Sequence, residues 1–159
     1  MSRYSRGLPI PRSFFGGSSS LLQHLHLKCI SFPQLPVFLL SAPNLVALKL
    51  KSISENDYIP TETIVRSLAM LTRLETLSIT FYEASPPDQN ESRLDLTMRA
   101  ILPALTNFRY RGYYEYLEDF LAQFTTPRLD DLRIEYYADD IKASQLSQFI
   151  NRTENLKLS

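Results

Sequence analysis

The sequence predicts an α/β fold, a solenoid with a parallel sheet on its concave side and helices on its convex side. Two observations predict it. A short pattern of apolar residues recurs along the 159-residue chain, and helix-like stretches separate its copies. A single cysteine, Cys29, leaves no partner for an internal disulfide, so the fold must stand on packing alone, as in a reducing compartment.

The recurring unit is Leu-x-x-Leu-x-Leu or a close variant. It reads Leu22-x-x-Leu25-x-Leu27, Leu45-x-x-Leu48-x-Leu50, Leu74-x-x-Leu77-x-Ile79, Leu105-x-x-Phe108-x-Tyr110 and Leu129-x-x-Leu132-x-Ile134. A partial copy, Leu156-x-Leu158, ends the chain. With residues 25, 48, 77, 108, 132 and 156 as markers, the intervals are 23, 29, 31, 24 and 24. Most fall in the range of leucine-rich repeats. The last three positions alternate with period two, which makes a short strand with one buried face. One unit cannot bury its leucines, whereas stacked units share a continuous apolar spine.

The intervening stretches carry helical spacing. Thr61 to Thr72 places Ile64, Val65, Leu68 and Leu71 on one face, with Pro60 and Thr61 as a start. Tyr114 to Phe124 does so with Leu117, Phe120, Leu121 and Phe124, and Ser144 to Asn151 with Leu146, Phe149 and Ile150. Asp95 to Ala104 and Gln34 to Leu40 are shorter helical expectations. Residues 1–20, rich in Ser, Gly, Arg and Pro, read as a disordered arm before a repeat domain over 21–159, of five to six irregular repeats, truncated at its end. Residues 83–93 read as an exposed loop that lengthens one interval.

Seventeen basic residues balance seventeen acidic ones, which argues against bulk attraction to nucleic acid or a membrane surface. There is no signal-peptide-like or membrane-spanning apolar run, so a cytoplasmic or nuclear location is expected, and the triplets Asn90-Glu91-Ser92 and Asn151-Arg152-Thr153 read as chance.

On PNLVALKL (43–50), TRLETLSI (72–79) and PRLDDLRIEY (128–137), the chain resembles the leucine-rich-repeat region of fungal F-box proteins over about residues 21–159. The resemblance implies a substrate-holding scaffold of a ubiquitin ligase, whose F-box would dock a Skp-type adaptor. Leu8-Pro9 echoes the start of an F-box, without the helical segment that follows one, so an adaptor contact would need an F-box outside this chain. Such repeats often carry Asn or Cys three residues after the last core residue of the strand; here Ile30, Ile53, Tyr82, Tyr113 and Tyr137 stand there.

With the apolar residues inward, the outward positions are His24, His26, Lys28; Ala47, Lys49, Lys51; Thr76, Ser78, Thr80; Asn107, Arg109, Arg111; Asp131, Arg133, Glu135; and Asn155, Lys157, Ser159. Seven are basic and two acidic, a net of +5, which leaves −5 on the rest of this neutral chain. Lys28, Lys49, Lys51, Arg109, Arg111, Arg133 and Lys157 therefore form a candidate acceptor surface for an acidic or phosphorylated protein segment. The bland reading, equally weighted, is a solvated strand face that uses Lys and Arg freely. Tyr82, Tyr113 and Tyr137 follow three successive strands. They read first as an aromatic ladder closing the core and second as a rim that anchors a partner.

Chemistry for catalysis is missing. His24 and His26 share a strand face but lack further ligands, so solvated histidines are expected rather than a metal site. Asp130-Asp131 and Asp139-Asp140 are adjacent pairs whose side chains diverge, and Gly16-Gly17-Ser18 lacks the Lys of a phosphate loop. The expectation is a binding protein without catalytic residues, cofactor or metal. The alternatives are a free-standing repeat scaffold, a partial gene product and, last, a cryptic hydrolase.

Overall fold

The computed structural model describes residues 8–9, 21–28, 30–31, 39, 42–53, 61–81, 100–137, 144–153 and 157–158. In chain order the elements are β1 (Leu8–Pro9), β2 (His24–Lys28), β3 (Ile30–Ser31), β4 (Ala47–Ile53), α1 (Thr61–Ala69), β5 (Thr76–Phe81), β6 (Ala100–Ile101), β7 (Asn107–Gly112), α2 (Tyr114–Ala122), β8 (Phe124–Thr125), β9 (Asp131–Tyr136), α3 (Ser144–Arg152) and β10 (Lys157–Leu158).

Six strands form one sheet in the order β2-β4-β5-β7-β9-β10, and every pairing is parallel. Neighbours in space are thus neighbours in sequence. The register carries Leu25, Leu48, Leu77, Phe108, Leu132 and Leu158 across the sheet as one row. Leu27, Leu50, Ile79, Tyr110 and Ile134 make a second.

A turn delivers the chain to each strand. Ala42–Leu45, Leu71–Leu74 and Thr126–Leu129 each close with the N–H of the last residue donating to the carbonyl of the first, at 3.2–3.3 Å. Leu102–Leu105 repeats the pattern in sequence. Pro43, Pro103 and Pro127 take the second position, where the fixed proline φ suits a tight turn. The end residues of all four turns are buried and the prolines exposed. Beyond each turn, one carbonyl accepts two N–H groups from the next repeat. Gln23 receives those of Val46 and Ala47, Val46 those of Glu75 and Thr76, Glu75 those of Thr106 and Asn107, and Thr106 those of Asp130 and Asp131. This ladder fixes the register independently of side chains.

The helices lie on one face, because their buried residues join the strand rows in a single core. Ile64, Val65 and Leu68 of α1, and Tyr116, Leu117, Phe120 and Leu121 of α2, pack with Phe149 of α3 onto those rows. Phe108 meets Phe120 and Phe124 at 5.7 and 6.1 Å between ring centroids, and Phe124 meets Phe149 at 5.6 Å. Burying each such ring is worth about 1.5–3 kcal/mol. Polar groups tie the helical layer together. Gln123 donates from Nε2 to the buried Thr61 hydroxyl at 2.7 Å, and the Leu146 N–H at the start of α3 donates to Glu118 of α2 at 3.3 Å. A carboxylate there satisfies a free helix-end donor and suits the positive end of the helix dipole.

Two expectations are corrected. Ala100 and Ile101 are strand, not the end of a helix over Asp95–Ala104, whose first five residues lie outside the described ones. The Ala100 N–H donates to the Gln123 carbonyl and the Leu102 N–H to the Thr125 carbonyl, which pairs β6 with β8. Pro103 then sits in a turn. In the last repeat Leu158, not Leu156, stands in register with Leu132, so the interval is 26 rather than 24 residues.

Within residues 1–20 only Leu8–Pro9 is described, paired with Ile30–Ser31. The rest of that expected arm lies outside the described residues. So do Cys29, Tyr82, the 83–93 loop, the Asn90-Glu91-Ser92 triplet, Asp139-Asp140 and Gln34–Leu40 apart from Leu39.

Candidate functional site

An all-parallel sheet normally has both faces covered. Here the face opposite the helices carries His24, His26, Lys28, Lys49, Lys51, Arg109, Arg111, Arg133 and Glu135, all exposed. Strand alternation dictates this, since each residue lies between two core positions. The register assembles them into rows. One row is His26, Lys49, Ser78, Arg109 and Arg133, with four nitrogen-bearing side chains. Lys28 neighbours Lys51 and Arg109 neighbours Arg133, each pair about 4.8 Å apart in backbone position. Like charges so placed cost stability by tenths of a kcal/mol.

The two halves of the face differ. On β7 and β9, Arg111 reaches Glu135 at 3.2 Å and Arg133 reaches Asp131 at 3.8 Å. Arg111 also lies over the Tyr137 ring, 5.6 Å from its centroid. Among the described residues no carboxylate forms an ion pair with Lys28, Lys49, Lys51 or Arg109. Lys157 sits one row away from the place expected for it: it stands opposite Asp131 rather than Arg133, though on strands of the same phase.

Strand β5 separates the halves. Its outward residues, Thr76, Ser78 and Thr80, are short hydroxyls and only half-buried. A low trough therefore runs past Ser78 and Thr80, between Lys49 and Lys51 on β4 and Arg109 and Arg111 on β7. At one end of it, β4 carries a bulge. Leu50 pairs with Ile79 but Ile53 with Phe81, and Ser52 has a φ of 57°. The extra residue keeps Ile53 in phase with Phe81 while Lys51 stays on the outward strand phase.

The aromatic residues belong to the edge where these strands end. Tyr113 and Tyr137 are half-buried and meet edge to face at 5.7 Å. The Tyr110 hydroxyl donates to the Tyr113 carbonyl and the Tyr137 hydroxyl to the Phe81 carbonyl, both at 2.6 Å. Phe81 packs on Tyr116 at 4.8 Å. These contacts extend the packed core past the ends of the strands, and Tyr82 lies outside the described residues. On the helix side of the sheet, burial first and the charge of Glu118 second push the Tyr136 hydroxyl up to about 12.

Among the described residues no three His, Cys, Asp or Glu side chains are grouped to hold a metal, and no helix is long and apolar enough to cross a membrane. Asp130 and Asp131 diverge, the first exposed at the turn and the second directed at Arg133. Three features escaped the sequence reading. The Glu135 and Asp131 ion pairs follow from cross-strand register, and the bulge at Ser52 leaves no pattern of its own. The β5 trough escaped as well, although the short outward residues Thr76, Ser78 and Thr80 were a signal for it.

Comparison with known proteins adds no relative: no family model, no curated protein and no solved structure matches the chain.

Proposed function

We propose that this chain is a leucine-rich-repeat solenoid that serves as a protein-interaction scaffold. It would work in the cytoplasm or nucleus as the substrate-holding part of an F-box-type ubiquitin-ligase receptor. The open sheet face takes an acidic segment of the partner. One observation carries the reading. Lys28, Lys49, Lys51 and Arg109 stand exposed on a single face without a carboxylate partner among the described residues, in a chain of zero net charge. A surface of one sign steers and orients a partner of the other. The ligase link rests on the resemblance of the repeats.

The test is affinity capture with the whole chain and with an Arg109→Glu/Arg133→Glu variant, read by mass spectrometry. Acidic partners should be lost from the variant and weakened by salt. The same partner set from both proteins would refute the basic-face reading. Co-capture of a Skp-type adaptor supports the ligase role; a reproducible partner without the adaptor would make the chain a free-standing scaffold.

A further inference from the structure

We infer that the free edge of β2 is a docking site for an extended partner strand, which joins the sheet by backbone pairing and alternates acidic residues with apolar ones. Docking there rests on the reading of the chain as a protein-binding scaffold and adds a mode that leaves Arg109 and Arg133 untouched.

Strand β2 ends the sheet, and among the described residues β4 is the one strand paired with it. The Gln23 carbonyl accepts the Ala47 N–H, so in the parallel ladder residues 23, 25 and 27 turn their backbone groups toward β4. His24, His26 and Lys28 turn theirs outward, three donors and three acceptors in a row. Such an edge is a template for a further strand. The two apolar rows of the core also end open there. Leu25 and Leu27 are 8% and 6% exposed, against 0–2% for the same rows on β4, β5 and β7. Strand β1 lies beside β3, past the end of β2, so the added strand covers the five residues His24–Lys28.

Charge selects the occupant. The outward side chains nearest the edge are His24, His26 and Lys28, backed by Lys49 and Lys51 on β4. A second copy of β2 would add a further Lys28 and Lys51 to a surface that already holds these cations, and like charges on neighbouring strands are destabilising. A strand with Asp or Glu in the same phase meets opposite charge instead. Its intervening residues fall on the helix side, where apolar ones extend the rows of Leu25 and Leu27. The basic edge thus repels its own kind and admits an acidic strand.

The experiment uses the full-length chain and fluorescence anisotropy. The probe is a short peptide that alternates glutamate and valine. Two further versions carry N-methyl groups, one on every glutamate and one on every valine. An added strand turns only alternate N–H groups toward the sheet, so one version should lose binding at least about tenfold and the other keep it. His26→Pro removes an outward N–H but no bond to β4, so it should abolish binding with the melting temperature little changed. If the proline unfolds the chain, the N-methyl pair still decides, because both peptides meet the unaltered protein. Lys28→Glu/Lys51→Glu should weaken the glutamate–valine peptide about tenfold and admit a lysine–valine peptide that the parent chain rejects.

No binding of the glutamate–valine peptide, or equal binding of the two N-methylated versions, would overturn the edge site. Binding that needs residues 1–7 removed would give the edge to the chain's own segment. Dimers broken by His26→Pro would give it to a second copy, and either result overturns a partner strand. Acidic partners still lost from the Arg109→Glu/Arg133→Glu variant would leave the scaffold reading standing. Failure of both peptide binding and partner capture would sink the two together.

Discussion

Tyr137, one residue past β9, donates its hydroxyl to the carbonyl of Phe81 at the end of β5, 2.6 Å away and 56 residues earlier. The bond skips strand β7, which lies between them. It thereby ties three repeats together at the edge where the strands leave the sheet. Removing the hydroxyl by Tyr137→Phe leaves a part-buried carbonyl without that donor, a loss of about 1 kcal/mol. Denaturant unfolding should show a lower midpoint with an unchanged slope. If Tyr137 anchored a partner instead of closing the core, the variant would lose binding and keep its stability.

Gly112 in β7, the strand between them, leaves room for the rings of Phe81 and Tyr110. A Cβ there would lie 2.7 Å from Cδ2 of Phe81 and 3.0 Å from the Tyr110 hydroxyl. Phe81 cannot yield, being buried and packed edge-on against Tyr116. Gly112→Ala should therefore cost about 1–3 kcal/mol by overpacking. A thermal melt within a degree of the parent would contradict this.

Thr126 begins one of the four turns, where Ala42, Leu71 and Leu102 are apolar. It is 1% exposed and its hydroxyl finds no hydrogen-bond partner among the described residues. Thr153, also buried, donates its hydroxyl to the Phe149 carbonyl at 2.9 Å. Thr126→Val should stabilise the protein by about 1 kcal/mol or more, since the buried hydroxyl is lost at nearly constant shape. Thr153→Val should destabilise it. Equal effects of the two substitutions would mean that Thr126 is satisfied.

The strands were legible because their physics is local. Leu48, Leu77 and Phe108 alternate with polar neighbours, and that alternation alone puts Lys49 and Arg109 on one face. The spacing of Ile64, Val65 and Leu68 marked α1 in the same way. Ala100 and Ile101 misled because their strand exists only through pairing with Phe124 and Thr125, which no nearby residue announces. Leu156 and Leu158 offered two equivalent registers, and pairing with β9 chose the second. On the site, charge was readable but partnership was not. Whether Arg111 is free depends on Glu135, a residue of the next repeat.

Ser52 adopts a φ of 57° in the β4 bulge, the left-handed region that costs a non-glycine residue roughly 1–2 kcal/mol. Glycine removes that strain at the expense of unfolded-chain entropy. Ser52→Gly should be stabilising by a few tenths of a kcal/mol to about 1 kcal/mol. Ser52→Val should destabilise, because a β-branched residue tolerates this region worst. Both variants keep Lys51 in place, so binding to the face should be unaffected. A stabilising valine would show that the bulge is absent.

Tyr136 gives the fold an alkaline limit. Burial, reinforced by the Glu118 carboxylate, raises its hydroxyl from 10.0 to about 12. In the unfolded chain the phenol loses its proton around pH 10, while the folded protein still holds it. Between these values the unfolded state binds fewer protons, so stability falls as pH rises. Below about pH 10 the contribution is fully present, and it is lost progressively toward pH 12. Tyr136→Phe has no proton to lose. Unfolding followed at pH 8.5, 10 and 11.5 should therefore give a shallower decline for the variant. Parallel declines would place Tyr136 in water rather than against α2.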